Sequence, residues 1–224
     1  MSARKSTYHS KLYRDFKAIE GNAYQEMIRY YEDHETSIRG LDFEEYFDLL
    51  VSYVDALFEV GAYRNHLLMV DVVIETSIEE NIMLYKGRDL FKEMLFRKAA
   101  SHFNRHEHQK AEHILRQYIS IYPKDEQGIL FMKKCLRKQK PKFLTNAHAV
   151  TIFLLLLTAL IIAIEVLFVR PFYGIYVDLV EQSRISMFIL ACTILVSMTL
   201  VHRWKVEVKV ERFVKQTRAK KKSN

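Results

Sequence analysis

Two apolar runs near the C-terminal end limit the architecture of this chain more than any other feature. Ala147–Val169 reads AHAVTIFLLLLTALIIAIEVLFV and carries one charge, Glu165, in 23 residues. At about 1.5 Å per helical residue it reaches about 34 Å, against a hydrocarbon core of about 30 Å. Ile185–Val201 reads ISMFILACTILVSMTLV, 17 residues with no charge, near the lower length limit for a crossing helix. Trp204 follows it as an interfacial anchor. The pattern predicts a soluble domain over 1–141 and a transmembrane hairpin over 142–202. The spans are 147–169 and 185–201, the outside loop is 170–184, and a basic tail covers 203–224.

Charge is segregated along the chain. The net charge of +7 hides residues 15–80, where 16 acids face 4 Lys/Arg for a net of −12. Residues 133–142 hold six Lys/Arg and no acid, and residues 203–224 hold nine Lys/Arg and two acids. Lys138, Lys140 and Lys142 precede the first run, and Arg203, Lys205, Lys209 and Arg212 follow the second. Short basic flanks stay cytoplasmic, so both termini are expected inside. With no signal peptide visible, a bacterial inner membrane is the expected location. Pro171 and Gly174 suit the outer turn, and Phe172, Tyr173 and Tyr176 suit the headgroup zone. Cys135 and Cys192 fall at different levels relative to the bilayer, so no disulfide is expected.

Before residue 141 the only proline is Pro123, and apolar residues recur at helical spacing. Phe43, Tyr46, Phe47, Leu50, Val51, Val54 and Phe58 make one stripe. Leu67, Val70, Val73, Ile74 and Ile78 make a second. Phe91, Leu95, Ala99, His102 and Phe103 make a third, and Ala111, Ile114, Leu115, Tyr118 and Ile119 a fourth. Asp42 with Glu45 reads as a capping box. No segment alternates well enough to demand a strand. The fold expected is all-α, built of helix pairs: 8–18 with 22–38, 42–59 with 62–80 turning at Gly61, and 88–104 with 107–121 turning at 104–106. A further helix follows at 125–139.

Residues 92–125 resemble a tetratricopeptide repeat (TPR). Pro123 stands at the closing proline, Ala111 at the small position of the second helix, Leu115 and Tyr118 at its packing positions, and Leu95 and Ala99 in the first helix. Lys98 and His102 depart from the usual apolar choices, and His106 stands where the turn glycine is expected. The resemblance implies a TPR-like array of helix pairs whose concave groove binds a protein segment.

For that role the expected partner-binding residues are Tyr46, Tyr53, Tyr63 and Arg64 with the acids Asp48, Asp55 and Asp71. Tyrosines favour binding hot spots, and concentrated acids steer a basic partner. A solvated acidic face reads the same acids without a partner. The membrane-surface residues expected are Lys140, Lys142, Arg203, Trp204, Lys205 and Lys209, on anionic lipid. The tail alternates as Trp204, Val206, Val208 and Val210, yet Val206, Val210, Phe213 and Val214 also form a helical stripe, and the helix is favoured, lying near the inner leaflet.

His102, His106, His108 and His113 cluster in HFNRHEHQKAEH, and His102 and His106 have a metal-compatible spacing. No HExxH, GxxxxGK[ST], GxGxxG, GxSxG or CxxC is present. Glu165 reads as a functional acid or as an interfacial group paired with Arg170 or Arg184. The expected function is a non-enzymatic, membrane-anchored adaptor with a protein partner, no cofactor, no metal and no nucleic acid. The rivals are an accessory subunit of a larger membrane complex, with Ser186, Thr193, Ser197 and Thr199 as helix contacts, and a metal-dependent enzyme using the histidine turn.

Overall fold

The computed structural model describes residues 9–139, 141–172 and 174–223. The chain divides into two compact units, Met1–Gly128 and Ile129–Asn224. The division falls inside a helix, ahead of the boundary at 141 that hydropathy predicts.

The first unit is helical except for one small hairpin. It contains α1 (Lys11–Lys17), α2 (Tyr24–Asp33), α3 (Glu35–Ile38), α4 (Phe43–Glu59), α5 (Tyr63–Glu79), β1 (Leu84–Tyr85), β2 (Arg88–Asp89), α6 (Leu90–Asn104), α7 (His108–Ile121) and the start of α8 (Glu126–Lys138). Helices pack largely in chain order, α4 on α2 and α5, and α6 on α5 and α7. The core is the inner face of α4 (Phe47, Leu50, Val51, Val54, Leu57), joined by Phe16, Tyr31, Ile38, Val70, Val73, Leu90 and Met94. A second layer joins α6 to α7 through Ala99, Ala111, Leu115, Tyr118 and Ile119.

Local chemistry explains the boundaries. Ser10 caps α1, its Oγ accepting the Tyr13 N–H at 3.2 Å, and Asp89 caps α6, accepting the Lys92 N–H at 2.8 Å. The capping box expected at Asp42 and Glu45 does not form: Asp42 makes no side-chain cap, and Glu45 instead accepts the Ser10 N–H at 2.9 Å, tying α4 to the entry of α1. Gly61 turns α4 into α5 at φ 78°, where an L side chain is strained. His106 adopts φ 62° between α6 and α7, so that turn is made without glycine. The β1–β2 hairpin, absent from the sequence reading, closes on Lys86 and Gly87, both at positive φ as a two-residue turn demands. Each strand is two residues long, too short for alternation to register. Ile78, placed in the α5 stripe by its spacing, is 61% exposed, and Ser77 is buried in its stead.

The second unit holds the rest of α8, then α9 (Lys142–Ile164), a π-helical turn (Glu165–Val169), α10 (Arg170–Phe172), a 3-10 turn (Gly174–Tyr176) and α11 (Val177–Ser223). The segment expected as an outside loop, 170–184, is therefore mostly helical, because α11 begins well before its apolar run. α9 and α11 pack against each other as an antiparallel hairpin. Their seam buries Leu144, Ala147, Thr151 and Thr158 on α9, Glu165 at the start of the π-helical turn, and Ala191 on α11. On α9 these lie three, four or seven residues apart, the repeat of a coiled-coil seam. Large apolar side chains point the other way: Phe153 is 65% exposed and Leu156 66%. Both helices are long and apolar enough to cross a membrane.

α11 runs unbroken through residues 204–210, so the alternating valines there are helical and not a strand. Its sequence contains no glycine or proline, the common causes of a kink. Cys135 is buried, Cys192 is exposed, and neither is in a disulfide.

Candidate functional site

Three features of the structure bear on function: a polar hub on α4, a groove between α5, α6 and α7, and an ion cluster at the end of the α9–α11 hairpin.

The hub is Asp48, whose side chain is drawn inside. It accepts hydrogen bonds from the Tyr13 hydroxyl at 2.6 Å, from Lys86 Nζ at 2.6 Å and from the Tyr85 hydroxyl, and it pairs with Lys17 at 2.8 Å. Burial raises the Asp48 pKa, but the bonds from Lys17, Lys86 and Tyr13 outweigh it and hold the carboxyl below its ordinary value. Burial, with the bond to Asp48, pushes the Tyr13 hydroxyl up to about 12. Asp48 thus fastens α1 and the β1–β2 hairpin to α4. Tyr53 is also internal, stacked on Tyr31 with ring centroids 4.1 Å apart, its hydroxyl donating to Glu32 at 3.0 Å. Asp48 and Tyr53, expected at a partner surface, are buried and satisfied within the fold. Tyr46 is half-buried against the core, and Tyr63 packs edge-on to Phe58.

Asp55 faces α6, where Arg97 reaches it at 3.0 Å while also pairing with Glu93 at 2.9 Å and lying 3.8 Å from Glu59. One guanidinium serves three carboxylates. Burial dominates at Asp55 and pushes it up to about 6. On α5 His66 is fully buried, packed on the Phe58 ring and hydrogen-bonded through Nδ1 to Ser101 Oγ at 2.9 Å, with Nε2 unpartnered. Burial, then the Arg97 charge, pushes His66 down to about 4. His66 sits inside the α4–α5–α6 packing and Asp55 lies partly exposed beside Arg97, where the sequence shows only apolar periodicity interrupted by a histidine and an acid.

Of the seven expected partner-binding residues, Asp71 lines a groove and Arg64 is exposed. The groove, about 460 Å³, lies between α5, α6 and α7 and is lined by Leu67, Asp71, Lys98, His102, Lys110 and His113, with Gln109 and Ile114. Asp71 pairs with Lys98 at 2.6 Å. His102 Nδ1 lies 2.8 Å from Glu107, which Arg105 and Lys110 also approach, at 3.0 and 3.1 Å. Lys98 and His102, the departures from the TPR pattern, are therefore groove residues. His113 lies 3.3 Å from Gln117. Among the described residues no group of three His, Cys, Asp or Glu side chains is arranged to hold a metal ion.

At the end of the hairpin Glu165 is completely buried. Arg170 grips its Oε1 through Nη2 at 2.9 Å and Nε at 3.2 Å, and Arg184 reaches Oε2 at 2.8 Å. Both expected partners of Glu165 are thus engaged at once. The π-helical turn makes this possible. In an α-helix, residues five apart diverge by about 140°, whereas a π turn brings them back to nearly one face.

Of the expected membrane-surface residues, Lys140 lies outside the described residues, as does Tyr173, and Lys142 is the first residue of α9. Arg203, Trp204, Lys205 and Lys209 are exposed on α11, with Lys205 Nζ 4.9 Å from the Phe143 ring. Glu207 accepts two cations from α8, Lys133 at 2.9 Å and Arg137.

No protein-family model, curated protein or solved structure matches this chain.

Proposed function

We propose that the chain is a non-enzymatic adaptor, anchored in a membrane by its C-terminal hairpin and binding a protein partner through its helical unit on the cytoplasmic side. The observation that carries this reading is the inverted hairpin, which buries threonines and a glutamate while exposing Phe153, Leu156 and Leu160. Water penalises both choices, and lipid favours them. The basic flanks support two crossings with both termini inside, as in a bacterial inner membrane. The partner half is supported by the array of sequential helix pairs, with the TPR resemblance of residues 92–125, and by the open α5–α7 groove with exposed Arg64 nearby in α5.

The unbroken α11 alters one part of this picture. Past Val201 it adds about 33 Å of helix, against a screening length of about 8–10 Å. Arg203, Trp204 and Lys205 meet headgroups, and Lys209 stands about 12 Å past Val201. On this reading the tail stands off the inner leaflet as a stalk.

Photo-crosslinkers at Gln109 and Arg64, in full-length protein in its native membrane, test the adaptor reading. A discrete protein adduct from these positions that disappears on Asp71→Lys is expected. Smears shared with a crosslinker at Asp15, or no adduct, would remove the groove from the account.

A second reading, an accessory subunit of a membrane complex, draws on Ser186, Thr193 and Ser197, exposed along one face of α11 with hydroxyls bonded to their own helix. Small residues on a lipid-facing helix suit close helix contacts. Crosslinks from Thr193 to a second polypeptide favour it, and recovery only as a free monomer in mild detergent counts against it.

A further inference from the structure

The Glu165 cluster sets two arginines on one buried carboxylate, with Glu181 close to the second of them. Its single buried carboxylate has two oxygens, and both are taken, one by Arg170 and one by Arg184. Arg184 has a second acidic neighbour, Glu181, at 3.6 Å. Arg170 has none among the described residues: Nε and Nη2 are spent on Glu165, and Nη1 is free on a side chain that is 57% exposed. Around it Phe172 is 74% exposed, Ile175 94% and Tyr176 58%, an amphipathic aromatic rim of the kind found at headgroup depth. The charge of Arg170 is paired with Glu165, but the donors on its outer edge face the headgroup zone without a protein acceptor among the described residues, and the planar guanidinium fork matches a phosphate.

We propose that the outer end of the hairpin binds one phospholipid through its phosphate, held by the free edge of Arg170 while Glu165 fixes the other edge. Glu165 is then a positioning residue: it sets the guanidinium plane so that Nη1 points away from the seam. The two acyl chains lie along the exposed apolar face of the hairpin. This rests on the two-pass reading. A lipid phosphate is favoured over a partner's carboxylate because the ring of exposed apolar and aromatic side chains is continuous with the lipid-facing surface.

Full-length protein in phosphatidylglycerol nanodiscs, and separately in phosphatidylcholine nanodiscs, is released gently and weighed intact. Wild type is expected to retain one phospholipid from either membrane, since the contact is to phosphate. Arg170→Gln is expected to lower the retained fraction at least tenfold and Arg170→Lys to lower it less, while Arg212→Gln on the stalk leaves it unchanged. Equal retention by wild type and Arg170→Gln overturns the site. Loss of the wild-type lipid on adding millimolar inorganic phosphate shows a free-oxyanion site and overturns the lipid assignment. So does a protein adduct from a photo-crosslinker at Tyr176 in native membranes. Circular dichroism of each variant separates a lost contact from a lost hairpin. Protein that never enters the nanodisc contradicts the two-pass reading itself, an outcome distinct from insertion without retained lipid.

Discussion

α4 and α9 are both apolar helices, yet they solve opposite problems. In α4, Leu49, Leu50 and Val54 are fully buried while Glu44 and Glu59 face out. In α9, Phe153, Leu156 and Leu160 face out while Thr151, Thr158 and the neighbouring Glu165 are buried. Composition is similar over short windows, and orientation differs because the favoured surroundings differ. The first helix hides apolar area from water, at roughly 25 cal/mol per Å². The second, in the two-pass arrangement proposed above, keeps its few polar groups and the neighbouring Glu165 out of an apolar medium. The hydroxyls of Thr151 and Thr158 are returned to their own helix, donating to the carbonyls of Ala147 and Leu154 at 2.9 and 2.8 Å.

The contrast can be broken most forcefully with charge. Leu156→Arg, on the outward face of α9, is expected to oppose insertion by about 3 kcal/mol, read as a shift from the membrane pellet to the soluble fraction after carbonate extraction. Leu68→Arg, on an outward position of α5, is expected to leave both localisation and unfolding within about 0.5 kcal/mol of wild type. If the two substitutions behave alike, the helices do not differ in surroundings.

Removing the hub comes next. Asp48→Ala strands Lys17, Lys86 and two tyrosine hydroxyls, with an expected cost of about 3 kcal/mol. The expected sign is faster hydrogen exchange in α1 and the β1–β2 hairpin of the full-length protein, with α9 unchanged. Glu165→Gln is the counterpart in the second unit. It leaves two arginines without their anion and is expected to loosen the turn after α9 while exchange in α4 stays as it was.

Packing gives a smaller effect. Gly128 lies against the Tyr118 ring, and a methyl group there would drive into it. Tyr118 is 2% exposed and has little room to retreat, so Gly128→Ala is expected to cost about 1–3 kcal/mol in thermal unfolding. A neutral result would show that the ring moves freely.

The subtlest test is pH. His66 is lowered to about 4, so between about 6.5 and 4 the unfolded chain binds its proton and the folded chain does not. Its contribution to stability is therefore lost as pH falls through that window. Asp55 is raised to about 6, so between about 4 and 6 the folded chain holds the extra proton, and its contribution is lost as pH rises. The two slopes oppose each other. Wild type is expected to be nearly flat from pH 4 to 6, and Asp55→Asn to gain a positive slope of up to about 1.4 kcal/mol per pH unit. A flat profile in Asp55→Asn would contradict the buried state assigned to His66.

Much of the fold was legible in the sequence because long helices announce themselves through many residues. The stripes of α4 and α7 required only spacing, and Gly61 and Pro123 marked their ends. The β1–β2 hairpin was not legible, since two-residue strands leave no period to read. The internal bonds of Asp48 were not legible for a physical reason: an acid among tyrosines suits a binding face and a buried hub equally well. Only the arrival of Tyr13, Lys17, Tyr85 and Lys86 from distant positions distinguishes them. Glu165 was legible as a paired acid because Arg170 and Arg184 flank it in sequence. The π turn that brings Arg170 to it was not, because it shifts the backbone without a marker residue.

The lipid-facing character of α9 is tested most directly by collisional accessibility of spin labels at positions 153, 156 and 160 in full-length protein reconstituted in vesicles. All three are predicted to be accessible to oxygen and protected from a water-soluble nickel chelate. Ready collision with the chelate at these positions, or shielding from both reagents, would contradict a hairpin that turns its apolar face to lipid.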